Sequence, residues 1–151
     1  MNFLQDLIQN RIFVSAVLGW FIAQVLKTVI HMLITKKFVA ERMIGSGGMP
    51  SSHSATVCAL ATSTGMIYGG SSFGFAIAVI LAIIVMHDAM GVRRETGIQA
   101  KVINEMLEAF TNMGKRMSPK EKLKEFVGHT PLQVLAGAIL GILIAVMLCW
   151  A

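Results

Sequence analysis

Charge is what this chain has least of. Only 14% of its 151 residues are Asp, Glu, Lys or Arg, and acidic side chains number 8, while 55% of the residues are hydrophobic. A soluble domain carries about a quarter charged residues, so the composition excludes an ordinary soluble enzyme. A mean hydropathy of +0.69 agrees with an integral membrane protein.

Cysteine is almost as scarce. Cys58 and Cys149 lie in separate apolar stretches whose order gives no reason for them to meet. Thiols placed this way are packing residues, so neither a disulfide nor a zinc site is expected. The glycine-rich residues 45–48 lack the Gly-Lys-Ser/Thr ending of a nucleotide loop, which excludes an ATPase reading. Nothing matches a nucleic-acid module. Residues 1–20 carry Asp6 and lack the ordered basic, apolar and small-residue regions of a signal peptide, so the first apolar segment is expected to be retained. No residue set calls for a cofactor.

Four stretches are long enough to span a bilayer, near residues 12–34, 53–69, 72–90 and 131–150, since about 20 helical residues cross the hydrocarbon core. Helix is the expected state, because an open sheet leaves its backbone unsatisfied in lipid. The expected fold is therefore all-α: one polytopic membrane helix bundle over residues 1–151, with about four transmembrane helices. The basic residues fall in two connections, Lys36, Lys37 and Arg42 in one, and Arg93 through Lys124 in the other. The positive-inside rule puts both on the cytoplasmic side, with both termini outside and a tight outer turn at residues 68–72. Such a basic face suits the lipid bilayer and its anionic headgroups. A bundle this small is compatible with a homodimer, though no residue specifies one.

Within the inner connection, residues 92–128, Ile98, Val102, Ile103, Met106, Leu107, Phe110 and Met113 recur at helical steps. They predict an amphipathic helix that ends near Gly114. Ser118, Pro119 and Glu121 predict a second short helix, stopped by Gly128. Both fit the membrane surface or the roof of the bundle.

Two helix starts carry the chemistry. Residues 47–55 read Gly-Gly-Met-Pro-Ser-Ser-His-Ser-Ala, with Ser51 or Ser52 able to cap the following helix. Residues 128–133 read Gly-His-Thr-Pro-Leu-Gln, in which Thr130 is the N-cap, Pro131 the first helical residue and Gln133 the capping-box partner. Helix N-termini attract phosphate. In the expected topology His53 and His129 stand at one membrane level and flank one anion. Asp88, Arg93 and Arg94 arrive at the same level, where arginine binds phosphate oxygens; the two arginines also fit topology anchors, and Asp88 a simple ion pair. Lys27 sits inside the first span, where a charge faces a partner or snorkels to the surface. The spacing of Gly137 and Gly141 reads as close helix packing.

Together the two motifs resemble the type 2 phosphatidic acid phosphatase superfamily, which includes lipid phosphatases and vanadium-dependent haloperoxidases. Residues 47–55 are similar to its Pro-Ser-Gly-His motif and residues 128–141 to its last motif. With Asp-Ala-Met-Gly-Val-Arg at 88–93, the layout resembles the divergent bacterial and plant branch over nearly the whole chain. The resemblance implies hydrolysis of a lipid or isoprenoid phosphate without a metal, His129 attacking phosphorus to form a phosphohistidine and His53 protonating the leaving alkoxide. Lys27, Ser51, Ser52, Arg93 and Arg94 are then expected to bind substrate.

The pattern departs from the superfamily at defined places. Leu123 and Gln133 stand where it has an arginine six before and an aspartate four after the histidine, Ser52 replaces its glycine, and its first lysine–Arg-Pro motif is absent. Arg93 is expected to supply the missing arginine, and Asp88 to orient His129. The alternative reading is a non-catalytic membrane protein that keeps the anion cradle as a lipid-binding or assembly factor or a small transporter. A metal site from His53, Asp88, His129 and His31 is a weaker third, because no two share a recognised ligand spacing.

Overall fold

The computed structural model describes residues 2–38, 43, 47–113, 123 and 128–150. These residues form six helices and no strand: α1 (Phe3–Gln9), α2 (Arg11–Thr35), α3 (Ser52–Tyr68), α4 (Phe73–Met90), α5 (Val92–Asn112) and α6 (Pro131–Trp150). The protein is an all-α membrane helix bundle. The short helix predicted from Ser118, Pro119 and Glu121 lies outside the described residues, as does Arg42.

The starts of α2, α3 and α4 have a local cause. Asn10 accepts from the amides of Ile12 and Phe13 at 3.0 and 3.2 Å, Ser51 Oγ from Ser54 N at 3.4 Å, and Ser72 Oγ from Phe75 N at 3.2 Å. These contacts satisfy amides that a helix leaves orphaned at its first turn. The turn between α3 and α4 is as tight as expected, with α3 ending at Tyr68 and α4 beginning at Phe73.

Burial runs opposite to that of a water-soluble protein. The core is built from small side chains such as Ala23, Ala55, Ala59 and Ala145, while Phe13, Trp20, Phe21, Ile80, Ile84 and Leu143 face outward. Large apolar groups outside and small ones between helices are what a lipid solvent selects.

Three helical stretches, Arg11–Thr35, Phe73–Asn112 and Pro131–Trp150, are long and apolar enough to cross a membrane alone. The expected fourth span does not reach that measure. At 17 residues α3 is about 25 Å long, and it is rich in hydroxyls. It packs among α2, α4 and α6, so its surroundings are mostly protein. Its hydroxyls also turn back onto their own backbone: Thr56 to Ser52 O, Ser63 to Ala59 O and Thr64 to Leu60 O, each at 2.7 Å. That leaves few polar groups requiring water.

Glycine brings the helices together. A Cβ on Gly19 would stand 2.9 Å from Ala55 O, and one on Gly137 or Gly141 would collide with the carbonyl of Ser51 or Ala55. The first turns of α3 are therefore gripped by α2 on one side and α6 on the other. Gly141→Leu is expected to force α6 from α3 and destabilise the bundle by about 1–3 kcal/mol or more. Thermal unfolding in detergent reads this directly.

The four bundle helices α2, α3, α4 and α6 alternate in direction, and the chemistry gathers at one end. Ser51 N donates to Gln133 O at 3.0 Å, joining the starts of α3 and α6, and His129 N donates to Ala89 O at 2.9 Å, joining the α6 start to the end of α4. At the opposite end Arg11 Nη1 donates to Leu148 O at 3.4 Å. The start of α2 and the end of α6 therefore lie together, away from both motifs.

The amphipathic helix is present and begins earlier than its first periodic residue, at Val92 immediately after Gly91. Ile98, Val102, Met106 and Phe110 on α5 are exposed, an arrangement suited to a helix on the membrane surface. Asn104 is buried and exchanges two hydrogen bonds with the Leu123 backbone, at 2.9 and 3.1 Å. Leu123 therefore lies against α5.

Candidate active site

His53 and His129, 76 positions apart in sequence (129 − 53), meet with ring centroids 5.8 Å apart and planes inclined by 64°. The α3 cap positions the first. The second is held by its backbone bond to Ala89 and by Gly128, whose positive φ of 93° lets the chain lie on the Arg93–Arg94 backbone where a Cβ would clash.

A single side chain fixes the state of His129. Thr130 N donates to Gln133 Oε1 at 3.1 Å, and Gln133 N is held by Thr130 Oγ1 at 3.4 Å, completing the expected capping box. Because a backbone N–H can only donate, the Gln133 atom it meets is the carbonyl oxygen. The same Oε1 lies 3.3 Å from His129 Nδ1, so that nitrogen carries the proton in the neutral ring. Nε2 is then left with its lone pair; it is buried with no hydrogen-bond partner among the described residues, the Gly48 backbone that also acts on the ring lying outside hydrogen-bond geometry.

His129 is 2% exposed, and burial holds its pKa below the ordinary imidazole value of 6.5. The Gln133 contact and the Gly48 backbone act in the other direction, while His53 and Lys27 reinforce burial. The shift favours the neutral ring.

Gln133 occupies the orienting position that was expected of Asp88. The Asp88 carboxylate instead accepts from Arg93 Nε at 2.6 Å, on a side chain 38% exposed. The physical reason is proximity on the α4–α5 elbow: Arg93 is five residues away, whereas Gln133 is one turn along the helix that His129 precedes. Arg93 Nε is committed to that pair, so its two terminal nitrogens are the donors it offers an anion. Arg93, Lys27 and Asp88 all act electrostatically on His53, and Lys27 acts on His129 as well.

Lys27 is 2% exposed, so it lies within the bundle instead of snorkelling outward. A Cβ on Gly48 would sit 3.0 Å from its Cγ and Cδ. Gly47 and Gly48, with φ of 90° and 88°, lay the turn over the lysine stem. Ser51 and Ser52 are buried at the start of α3. Arg94 supplies backbone beneath Gly128, and its side chain is exposed.

Buried polar atoms without partners among the described residues belong to Gln24, His53, Ser54 and His129. Leaving such a group unsatisfied costs about 1–3 kcal/mol, and two of the four, His53 and His129, stand together at the starts of α3 and α6, where such atoms suit a polar ligand. Gln24 escaped the sequence reading, although an amide within an apolar stretch was a readable signal. Among the described residues no three His, Cys, Asp or Glu side chains gather closely enough to hold a metal ion.

Comparison with known proteins gives the family. The divergent PAP2 family matches residues 8–144. The uncharacterized membrane protein YuiD of Bacillus subtilis (strain 168) is 39% identical over 154 residues, covering 96% of this chain and 98% of that one. No solved structure matches significantly.

Proposed function

The chain belongs to the divergent PAP2 family, and from that premise we propose that it is a membrane-embedded phosphatase that hydrolyses a lipid or isoprenoid phosphate through a phosphohistidine on His129, at a site facing the cytoplasm. The observation that carries the reading is the buried His129 Nε2, left unprotonated and unpartnered by the Gln133 contact at Nδ1.

The chemistry follows in two steps. Nε2 attacks phosphorus in line, the ester P–O bond breaks, and protonated His53 gives its proton to the departing alkoxide. Water then attacks the phosphoenzyme, passes a proton to His53, and the P–N bond breaks with its electron pair returning to Nε2. Lys27, the Arg93 terminal nitrogens and the amides at the starts of α3 and α6 stabilise charge on the equatorial oxygens. Asp88 holds Arg93 at the rim. Gln133 fixes the tautomer without the negative charge an aspartate would add.

The test is phosphate release by the purified, detergent-solubilised protein from a panel of lipid and isoprenoid phosphates. Release above the level of the Gln133→Ala variant supports the reading. No release on any substrate favours the non-catalytic alternative, which the replaced residues Leu123 and Gln133 would also suit.

A pH profile sharpens it. Neutral His129 is the nucleophile, so activity should fall as pH drops through a value below 6.5. Gln133→Glu places a carboxylate at Nδ1, stabilises the imidazolium and should move this acid limb upward. Phosphate monoesters titrate in the same range, but equally for both proteins, so the difference between the profiles isolates His129. A limb that stays in place in Gln133→Glu would contradict the assigned tautomer.

A further inference from the structure

Gln24 is 6% exposed on α2, and its Oε1 is buried with no donor among the described residues. The register of α2 against α3 fixes its level. Gly19 packs on Ala55 and Ala59, and Lys27 packs on Gly48. In an antiparallel pair these two contacts put Gln24 at the level of the first residues of α3, the helix start that carries His53. It also lies one turn from Lys27 on the same buried stripe as Ala23 and Thr28. An acceptor here points to a ligand that brings a hydrogen, because a phosphate oxyanion brings none.

We infer that Gln24 positions the water that hydrolyses the phosphoenzyme, an inference that rests on the phosphohistidine reading above. In that step the water oxygen bonds to phosphorus while one of its protons goes to His53. Its other O–H is the donor that Gln24 Oε1 lacks. An amide cannot accept the proton itself, so its part is to aim the water, as glutamine does in other phosphoryl transfers. The first step needs no water, so Gln24 should matter to the second alone.

The experiment uses the full-length protein in detergent with phosphatidic acid and farnesyl diphosphate, each labelled with 32P in the transferred group. Gln24→Met keeps the length of the side chain and removes the acceptor. Its turnover should fall on the order of 10²-fold, the usual loss for one preorganised hydrogen-bonding group. Acid-labile, alkali-stable label on the protein should meanwhile rise towards one per chain, which also shows that the variant is folded and able to react. Gln24→Glu, which restores an acceptor, should recover hydrolysis and lose the accumulated label.

Unchanged turnover in Gln24→Met overturns the inference. So does a raised KM without accumulating label, which would mean that Gln24 binds substrate, or a loss that Gln24→Glu does not relieve. If the wild-type protein itself takes up no acid-labile label, the phosphohistidine reading fails and this inference with it. Label in the wild type without accumulation in Gln24→Met refutes the water-positioning role alone.

Discussion

Replacing His129 by alanine is expected to reduce turnover by at least about 10⁴-fold, because removing a covalent nucleophile leaves only the binding and electrostatic parts of a site. Binding of the substrate anion should persist in the variant. Lys27 and the helix starts belong to α2, α3 and α6, and the α3–α6 contact rests on Gly137 and Gly141 rather than on the imidazole. Steady-state phosphate release gives the first quantity, and retention of the lipid phosphate on immobilised protein gives the second. Wild-type rates in His129→Ala would remove the nucleophile from the mechanism. The stability cost should be limited to the buried ring and its Gln133 contact, so the loss of rate must be measured on protein with an unchanged elution profile.

His53→Ala should lower turnover of alkyl phosphates by about 10²–10⁴-fold, the range for loss of a general acid. The size of the loss should depend on the leaving group. An alkoxide leaves poorly without a proton, whereas an aryl oxide such as p-nitrophenoxide leaves as the anion. The variant should therefore be least impaired on an aryl phosphate, with phosphoenzyme formation nearly normal and its hydrolysis slowed. An equal loss on alkyl and aryl substrates would instead assign His53 to binding or packing. The comparison is informative because His53 meets His129 at 5.8 Å between ring centroids, close enough for both to serve one phosphoryl group.

Much of this arrangement was legible in the sequence because membrane helices are limited by length and caps. The predicted stretches 12–34 and 131–150 correspond to Arg11–Thr35 and Pro131–Trp150. Ser51 and Thr130 cap as their positions indicated, and the end of the molecule shared by the two motifs followed from alternating directions. α1 was not foreseen, since seven residues carry too short a pattern to separate from a loop.

The misread parts depend on distances that spacing does not encode. Asp88 was expected at His129, but a carboxylate on a helix end finds the arginine of the adjoining turn first. Gln133 was recognised as a capping partner and separately as the residue standing where the superfamily has an aspartate. That one oxygen serves both Thr130 N and His129 Nδ1 appears only in three dimensions. The sequence already marked α3 as short and rich in hydroxyls, with Thr56, Thr62, Ser63 and Thr64; its neighbours supply the reason such a helix of 17 residues is tolerated, since it packs inside the bundle.

Gln133 also accounts for how a chain that departs from the superfamily pattern still sets up its histidine. A neutral amide holds the tautomer, and the helix cap holds the amide. Without a carboxylate the ring is a weaker base, which keeps it neutral in a site already crowded by Lys27 and Arg93.

The most direct measurement is to quench the wild-type protein in alkali during turnover of a 32P-labelled lipid phosphate and locate the label by peptide mass spectrometry and phosphorus NMR. The account predicts a phosphoryl group on Nε2 of His129. Label on Nδ1, label on another residue, or steady phosphate release with no covalent label would contradict it.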